Sequence, residues 1–322
     1  MKKSKKKIVF FGTPDFAAGI LDAMMVTSLP VVAVVTAPDK PAGRGRKPRQ
    51  SAVKRYAGEK ALPVLQPANL KSQAFLEQLQ ALDAGLFVVV AFRMLPVAVW
   101  QMPPLGTINL HASLLPAYRG AAPINWAIIN GEKETGVTTF FINEKIDTGP
   151  LIMQRRVPIP DTDTYNAGAL HDDLMQAGAE LLIRTVEDIF DGKAQAVPQN
   201  PGDYSPAPKL TQDNTRIDWS APLDDIRNFI RGLSPYPGAW THFPEGDKKI
   251  RVKILSCSVV KTPHTTDPGT VLVAKENGKN VMKVAHRQGY VYIREIKWPG
   301  KRSMDMNSFL NGYRFDFPLH LD

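Results

Sequence analysis

Ile8-Val-Phe-Phe-Gly-Thr-Pro-Asp-Phe-Ala17 is the stretch whose reading decides the fold. Four apolar residues running into a glycine have the pattern of a strand buried on both faces. Thr13 then reads as a helix N-cap, with Pro14 at the first helical position and Asp15 in the first turn. Working outward, Val31-Val-Ala-Val-Val-Thr36 and Leu86-Phe-Val-Val-Val90 repeat the buried-strand pattern. Helical stretches at Ser51 to Lys60 and Ser72 to Leu79 lie between them. Apolar strands alternating with helices predict an α/β fold with a parallel sheet covered on both faces. The opening strand, turn and helix also invite a dinucleotide site. The three-glycine spacing that lets a backbone approach a pyrophosphate is missing from Gly12-Thr-Pro-Asp-Phe-Ala17, so NAD is not expected.

Further along, Gly106-Thr-Ile-Asn-Leu-His111 is a strand interrupted by polar residues. Period-2 geometry puts Asn109 and His111 on one face, with Ile108 and Leu110 on the other. Ala112 to Gly120 reads as a loop, Ala121 to Asn130 as a helix, and Gly136 to Ile142 as a strand. A turn-rich loop, Glu144 to Gly149, leads to a strand at Leu151 to Val157 and a long amphipathic helix from about Thr164 to Phe190. Residues 191–208 hold four prolines and two glycines without periodicity, the composition of a linker. After a helix at Leu223 to Gly232, short strands separated by turns predict a small barrel. The expected domains are therefore 1–190 and 209–322, joined by 191–208.

A chain of 322 residues fits two domains, and 43% hydrophobic with 22% charged residues excludes a disordered chain or a coiled coil. The longest apolar run, Leu86 to Phe92, is seven residues, where a membrane-spanning helix needs about 20. The single cysteine, Cys257, permits neither an internal disulfide nor a cysteine-rich zinc site. The apolar stretch behind the lysine-rich start is too short for an export leader, so a reduced cytoplasmic location is expected.

The net charge of +9 is uneven: +9 over residues 1–60, −6 over 61–205 and +6 over 206–322. Basic ends around an acidic middle suit a polyanion gripped at two places. The leading lysines also fit a solvated tail. The stretch Asp39 to Gln50 is different, with Arg44, Arg46, Lys47 and Arg49 crowded among Pro41, Gly43, Gly45 and Pro48. An exposed loop gains nothing from such repulsion, whereas a phosphate backbone would relieve it.

Asn109, His111 and Asp147 stand at the ends of strand-like segments, which line the ligand crevice in a parallel sheet. An amide and an imidazole can donate to a developing oxyanion, and a carboxylate can orient the imidazole or accept protons. Singly, each also fits a plain structural role: a satisfied polar group on a strand, or a turn at Asp147-Thr-Gly149. No serine lies in a nucleophile-elbow motif and the only cysteine is in the tail, so direct attack by a substrate nucleophile is preferred to covalent catalysis.

Asn109-Leu-His-Ala-Ser-Leu-Leu-Pro116, Tyr118-Arg-Gly-Ala-Ala-Pro-Ile124, Glu134-Thr-Gly-Val-Thr138 and Asp147-Thr-Gly149 together resemble the signature of the formyltransferases that use 10-formyltetrahydrofolate. Within them, Phe10 to Ala17, Pro38 to Arg46 and Arg216-Ile-Asp-Trp219 resemble the branch acting on initiator methionyl-tRNA. The resemblance runs from about residue 8 to 220 and thins toward the C-terminus. It implies a Rossmann-like formyltransferase domain followed by an OB-like barrel. Asn109, His111 and Asp147 would be catalytic, and the folate would lie against Ser113, Leu114, Leu115 and Pro116. Arg44, Arg46 and Lys47 would enter or flank the tRNA acceptor end, and Arg49 would also bind the tRNA. Lys248, Lys249, Arg251 and Lys253 would give the barrel a second basic surface, although they also suit one exposed strand face.

Two departures from the family pattern stand out. Lys145 replaces a usual glycine in the loop before Asp147, and Phe92-Arg-Met-Leu-Pro96 replaces a usual aromatic-glycine stretch, which makes Arg93 a candidate for pterin or tRNA contact. The reaction implied is transfer of the formyl group of 10-formyltetrahydrofolate to the methionyl α-amine, with Asn109 and His111 steadying the oxyanion and Asp147 holding His111. It needs no metal, nicotinamide or membrane, and a monomer is expected. The alternatives are a formyltransferase acting on an amino sugar nucleotide or glycinamide ribotide, and a catalytically silent RNA-binding protein on the same scaffold.

Overall fold

The computed structural model describes residues 6–42, 47–200, 202, 204–245, 248–315 and 319–321. The chain divides into two compact units, one comprising 1–120, 135–157 and 171–206, the other 121–134, 158–170 and 207–322. Each unit thus draws on three separate stretches, where the sequence reading divides the chain at a single linker. The physical reason is local pairing. Leu151 and Val197 form an antiparallel bridge, and Ser205–Ala207 pairs with Ala117–Gly120, so most of the proline-rich stretch is bonded into the first unit.

The first unit is built on a seven-stranded sheet in the order Leu151–Pro158, Glu134–Phe141, Thr107–His111, Leu86–Val90, Ile8–Gly12, Val31–Val35, Val64–Leu65. The five strands from Thr107–His111 onward run parallel, while Thr107–His111 meets Glu134–Phe141 antiparallel. Every residue of Ile8–Gly12 and Leu86–Val90 is buried, as continuous apolar strands require. On one face Val9, Phe11, Phe87 and Val89 pack with Phe75, Leu79 and Val99. On the other, the helix Ala167–Phe190 comes close at Gly178, where a Cβ would stand 2.9 Å from Leu110 Cδ2.

The first helix starts at Asp15, with Pro14 in the cap position and no side-chain cap bond. The expected Thr13 cap is therefore displaced by one residue, because Pro14 is extended rather than helical. Gly12 has to be glycine: a Cβ there would lie 2.7 Å from Ala17 Cβ and from Phe10 Cε1. The expected loop 112–120 contains the short strand Ala117–Gly120.

The second unit carries an antiparallel sheet ordered Ala239–Glu245, Lys248–Lys261, Gly289–Lys297, Lys279–His286, Thr270–Glu276, Leu319–His320. Its two outermost strands lie against each other, so the sheet nearly closes into an OB-like barrel. The interior combines Val252, Ile254, Val284 and Ile293 with Ile226 and Ile230 of the helix Leu223–Leu233 and Phe309 of Met306–Gly312. Cys257 is among these residues, its thiol pushed up to about 12 by burial, and it is chemically inert there. The helix Pro123–Ile129 belongs to this unit because Asn125 Nδ2 donates to Gly232 O at 2.8 Å.

Candidate active site and basic surface

Asn109 and His111 occupy the C-terminal end of a sheet strand, two residues apart and on one face. Asn109 is in register with Val89 on one side and Phe140 on the other. It is half-buried, and among the described residues nothing hydrogen-bonds its amide. His111 is buried. Its Nε2 lies 2.8 Å from Tyr118 O, and since a carbonyl only accepts, Nε2 must carry the hydrogen. In the neutral ring Nδ1 is then the bare nitrogen. It faces Asp147 Oδ2 at 3.8 Å, a close approach but not a hydrogen bond.

Asp147 comes from the loop between Glu134–Phe141 and Leu151–Pro158. Its φ is 53°, a left-handed conformation that Asp tolerates better than most residues. Oδ2 accepts from Gly120 N at 3.0 Å, so the carboxylate is aimed by backbone. The departure at Lys145 has a simple physical account. Asn143 Oδ1 accepts from Lys145 N at 3.0 Å and from Thr148 Oγ1 at 2.9 Å, which closes the loop through an Asn side chain. Positive φ falls on Asp147, not on Lys145, so no glycine is needed there.

The Ser113-Leu-Leu-Pro116 stretch is held as strongly as the strand before it. Ser113 Oγ donates to Ala117 O at 2.6 Å, and Thr138 Oγ1 donates to Ser113 O at 2.6 Å. Leu115 N donates to that same Thr138 hydroxyl at 3.1 Å, while Gln154 Nε2 donates to Leu115 O at 2.8 Å. Leu115 and Ser113 are buried, so they build the support of this stretch. Leu114 and Pro116 remain half-buried and are its apolar contact residues. Arg93 is exposed, and its guanidinium is steered by backbone: Nη2 donates to Pro67 O at 2.5 Å and Nη1 to Ala68 O at 3.2 Å.

The basic stretch after Asp39 forms an antiparallel pair, Lys40–Ala42 with Lys47–Arg49. Arg44 and Arg46 lie outside the described residues, Lys47 stands on the returning strand, and Arg49 is exposed. At its base, Lys54 Nζ and Gln66 Nε2 donate to the Asp39 carboxylate at 2.7 and 2.8 Å, which holds that carboxyl below its usual range.

In the second unit, strand pairing sorts the other four candidate cations. Lys249, Arg251 and Lys253 stand opposite Pro244, His242 and Trp240 on the outward face. Lys248 has the parity of Ile250 and the buried Val252, so it belongs to the other face. Arg251 sits over the Trp240 ring at 5.0 Å and Arg216 at 5.9 Å, each a cation–π contact. Burial and the charges of Arg216, Lys249 and Arg251 push the His242 pKa down. Lys253 is lowered too, by burial and by Lys297 and Arg251. Like charges thus crowd this face, and an anion there would relieve their repulsion.

Trp240, His242 and Lys297 were not legible as members of this face, and Arg216 was legible only as part of its motif. In the first unit Gln154 and Gln199 were likewise not legible, and Thr138 and Arg119 were legible only as parts of their motifs. Among the described residues no three His, Cys, Asp or Glu side chains converge to hold a metal, and no helix is long and apolar enough to cross a membrane.

Comparison with known proteins places this geometry in a lineage. The formyl transferase family model matches residues 6–186, and the model of the formyl transferase C-terminal domain matches 209–314. The methionyl-tRNA formyltransferase of Bacteroides fragilis is 48% identical over 319 residues, covering 97% of each chain. That of Parabacteroides distasonis is 49% identical over 321 residues, covering 98% of each. Among solved structures, HypX from Aquifex aeolicus in complex with tetrahydrofolic acid aligns with a TM-score of 0.65 at 18% identity. That alignment covers 96% of this chain and 48% of HypX, a likeness of fold. On two family models and near-half identity along its whole length, the chain belongs to the formyl transferase family.

Proposed function

We propose that this protein formylates the α-amino group of methionyl initiator tRNA, with 10-formyltetrahydrofolate as the donor. Residues 1–190 would carry the chemistry and 209–322 the tRNA-binding barrel, joined by 191–208. The observation that carries the reading is an open Asn109 amide on the same strand face as His111, whose Nδ1 Asp147 faces. A binding protein has no use for that arrangement. The matched C-terminal family model speaks against a glycinamide ribotide enzyme. The near-half identity to methionyl-tRNA formyltransferases, together with the cationic face around Trp240, favours a tRNA over an amino sugar nucleotide.

The residues fit a folate co-substrate: an unpartnered amide donor at the strand end, and the half-buried Leu114 and Pro116 on the stretch that follows, suit a flat ring carrying a polar carbonyl. The co-substrate supplies an activated formyl carbon. A model α-amine has a pKa of about 7.7–8.0, so a usable neutral fraction exists near pH 7. Asn109 Nδ2 is the free donor for the negative charge that develops on the formyl oxygen. His111 has a different part from that expected of it, because its Nε2–H is committed to Tyr118 O. Its Nδ1 and the Asp147 carboxylate form the acceptor for the proton leaving the amine. As the amine nitrogen bonds to the formyl carbon, the bond from that carbon to N10 of the folate breaks, N10 takes up a proton and tetrahydrofolate leaves. Ser113 and Leu115 hold the loop, and Leu114 with Pro116 presents the apolar contact. Arg49, with Arg44, Arg46 and Lys47, and the face bearing Lys249, Arg251 and Lys253 neutralise tRNA phosphates. Lys248, at the end of the inward parity, contributes to that field from the strand's other side. We place the protein in the cytoplasm, working as a monomer.

The test is to incubate the purified protein with methionyl initiator tRNA and 10-formyltetrahydrofolate, and separately with an amino sugar nucleotide and glycinamide ribotide. Formyl-methionine on the tRNA alone is the expected result. Formylation of either small amine with the tRNA untouched would overturn the reading.

A further inference from the structure

The stretch 191–206 has the composition of a linker, yet one of its residues is turned inward. Gln195, Ala196, Val197, Pro198 and Asn200 are exposed, whereas Gln199 is half-buried. Its Nε2 donates to Asp147 O at 2.9 Å and to Gly149 O at 2.8 Å, one hydrogen for each carbonyl. Its Oε1 accepts from Arg119 Nη2 at 2.5 Å. Arg has donors only, so the amide cannot flip without setting its oxygen against two carbonyls and its NH2 against a guanidinium. Arg119 lies over the ring of Tyr204 at 5.6 Å, a second contact with the same stretch.

These contacts close a ring. Gly120 N holds the Asp147 carboxylate, Gln199 holds the Asp147 carbonyl, Arg119 holds Gln199, and Arg119 is bonded to Gly120. The far side of the loop is fixed by Gly149, where a Cβ would collide with Phe141 O. Asp147 is therefore clamped through its main chain by a side chain some fifty residues away, while its carboxylate, aimed by Gly120 N, faces His111.

We propose that Gln199 is the positioning residue for Asp147 and that Arg119 orients Gln199 for that task. The inference rests on the reading of Asp147 as part of the proton acceptor. Without Gln199 two carbonyls lose their donors, and the loop carrying Asp147 is free to drift. A displacement of about 1 Å at a reacting group can cost about a hundredfold in rate.

The experiment is single-turnover formylation of methionyl initiator tRNA by Gln199→Ala, Gln199→Glu, Asp147→Asn and the double variant Asp147→Asn/Gln199→Ala, with melting temperatures and tRNA affinity measured alongside. Gln199→Glu removes both donors while keeping an acceptor for Arg119. Both Gln199 variants should lose about 10- to 100-fold in rate at saturating substrates, with tRNA affinity unchanged. In the Asp147→Asn background, Gln199→Ala should change the residual rate by less than about twofold, because the group it positions is already gone. Val197→Ala, on the exposed side of the same stretch, should keep the normal rate.

A structural role would instead lower the melting temperature and give additive losses. If Gln199→Ala does not fold, Gln199→Glu decides the matter, and a normal rate for it overturns the proposal. Additive losses overturn it too. Near-normal turnover by Asp147→Asn would instead remove the reading of the site on which the inference rests.

Discussion

The strand end bearing Asn109 and His111 and the barrel face around Trp240 both concentrate polar side chains, but by opposite physical means. At the strand end most donors and acceptors are committed: His111 to Tyr118, Asp147 to Gly120, Ser113 to Ala117, Leu115 to Thr138. The Asn109 amide is left open. On the barrel face Arg216, Lys249, Arg251 and Lys253 crowd the same patch. Burial and the first three of these charges depress the affinity of His242 for a proton. The first region stores geometry and the second stores field. Chemistry on a single carbonyl needs groups held to fractions of an ångström, and directional bonds supply that. Attraction to a phosphate backbone needs only net charge, which acts over about 10 Å at 0.1 M salt.

If that contrast holds, damage to the two regions should separate cleanly. The largest effect belongs to His111→Ala, which removes one partner of the proposed proton-accepting pair. Single-turnover formylation should fall by about 10²–10⁴, while a filter-binding or anisotropy titration shows unchanged tRNA affinity. Next comes the barrel face. Replacing Lys249, Arg251 and Lys253 together by Gln should weaken tRNA binding by about tenfold or more at moderate salt. The slope of log K against log salt should become shallower by up to about 2–3, one phosphate contact being worth roughly 0.7–0.9. The rate at saturating tRNA should not move, and a fall in that rate would erase the contrast.

His242 gives a smaller and more specific effect. Its free-state pKa lies below the usual value because it is partly buried and cations surround it. Bound phosphates would neutralise those cations and raise it. Affinity for tRNA should therefore increase as pH falls through the bound-state pKa and level off below the free-state pKa. The gain is at most about tenfold for each pH unit by which binding raises that pKa. His242→Gln should flatten the dependence. The smallest effect is on stability alone. Asp305 caps the helix Met306–Gly312 by accepting from Ser308 N at 2.9 Å. Asp305→Ala should cost about 1 kcal/mol in a denaturant titration without altering formylation.

Much of the fold was legible because it is written in periods. The runs at Ile8, Val31 and Leu86 are buried strands, and alternation alone placed Asn109 and His111 on one face. What escaped has no period. Gln199 acts through side-chain bonds to main-chain carbonyls, in a stretch whose prolines and glycines suggest only a tether. Ala117–Gly120 is four residues long, with Tyr118 at a φ of 59°, and it pairs with Ser205–Ala207, far along the chain. On the barrel, charge density pointed to Lys248, Lys249, Arg251 and Lys253, but only the register with Ala239–Glu245 separates Lys248 from the rest. That partner strand ends in Pro244-Glu245 and follows a proline-rich turn, so its own residues carry little sign of pairing.

The most direct test of the account is single-turnover formylation of methionyl initiator tRNA by Asn109→Ala, with tRNA affinity measured on the same preparation. Loss of that open donor should slow transfer by about 10²–10³ at unchanged affinity. A rate within a few-fold of the unsubstituted protein would contradict the claim that this amide steadies the charge on the formyl oxygen.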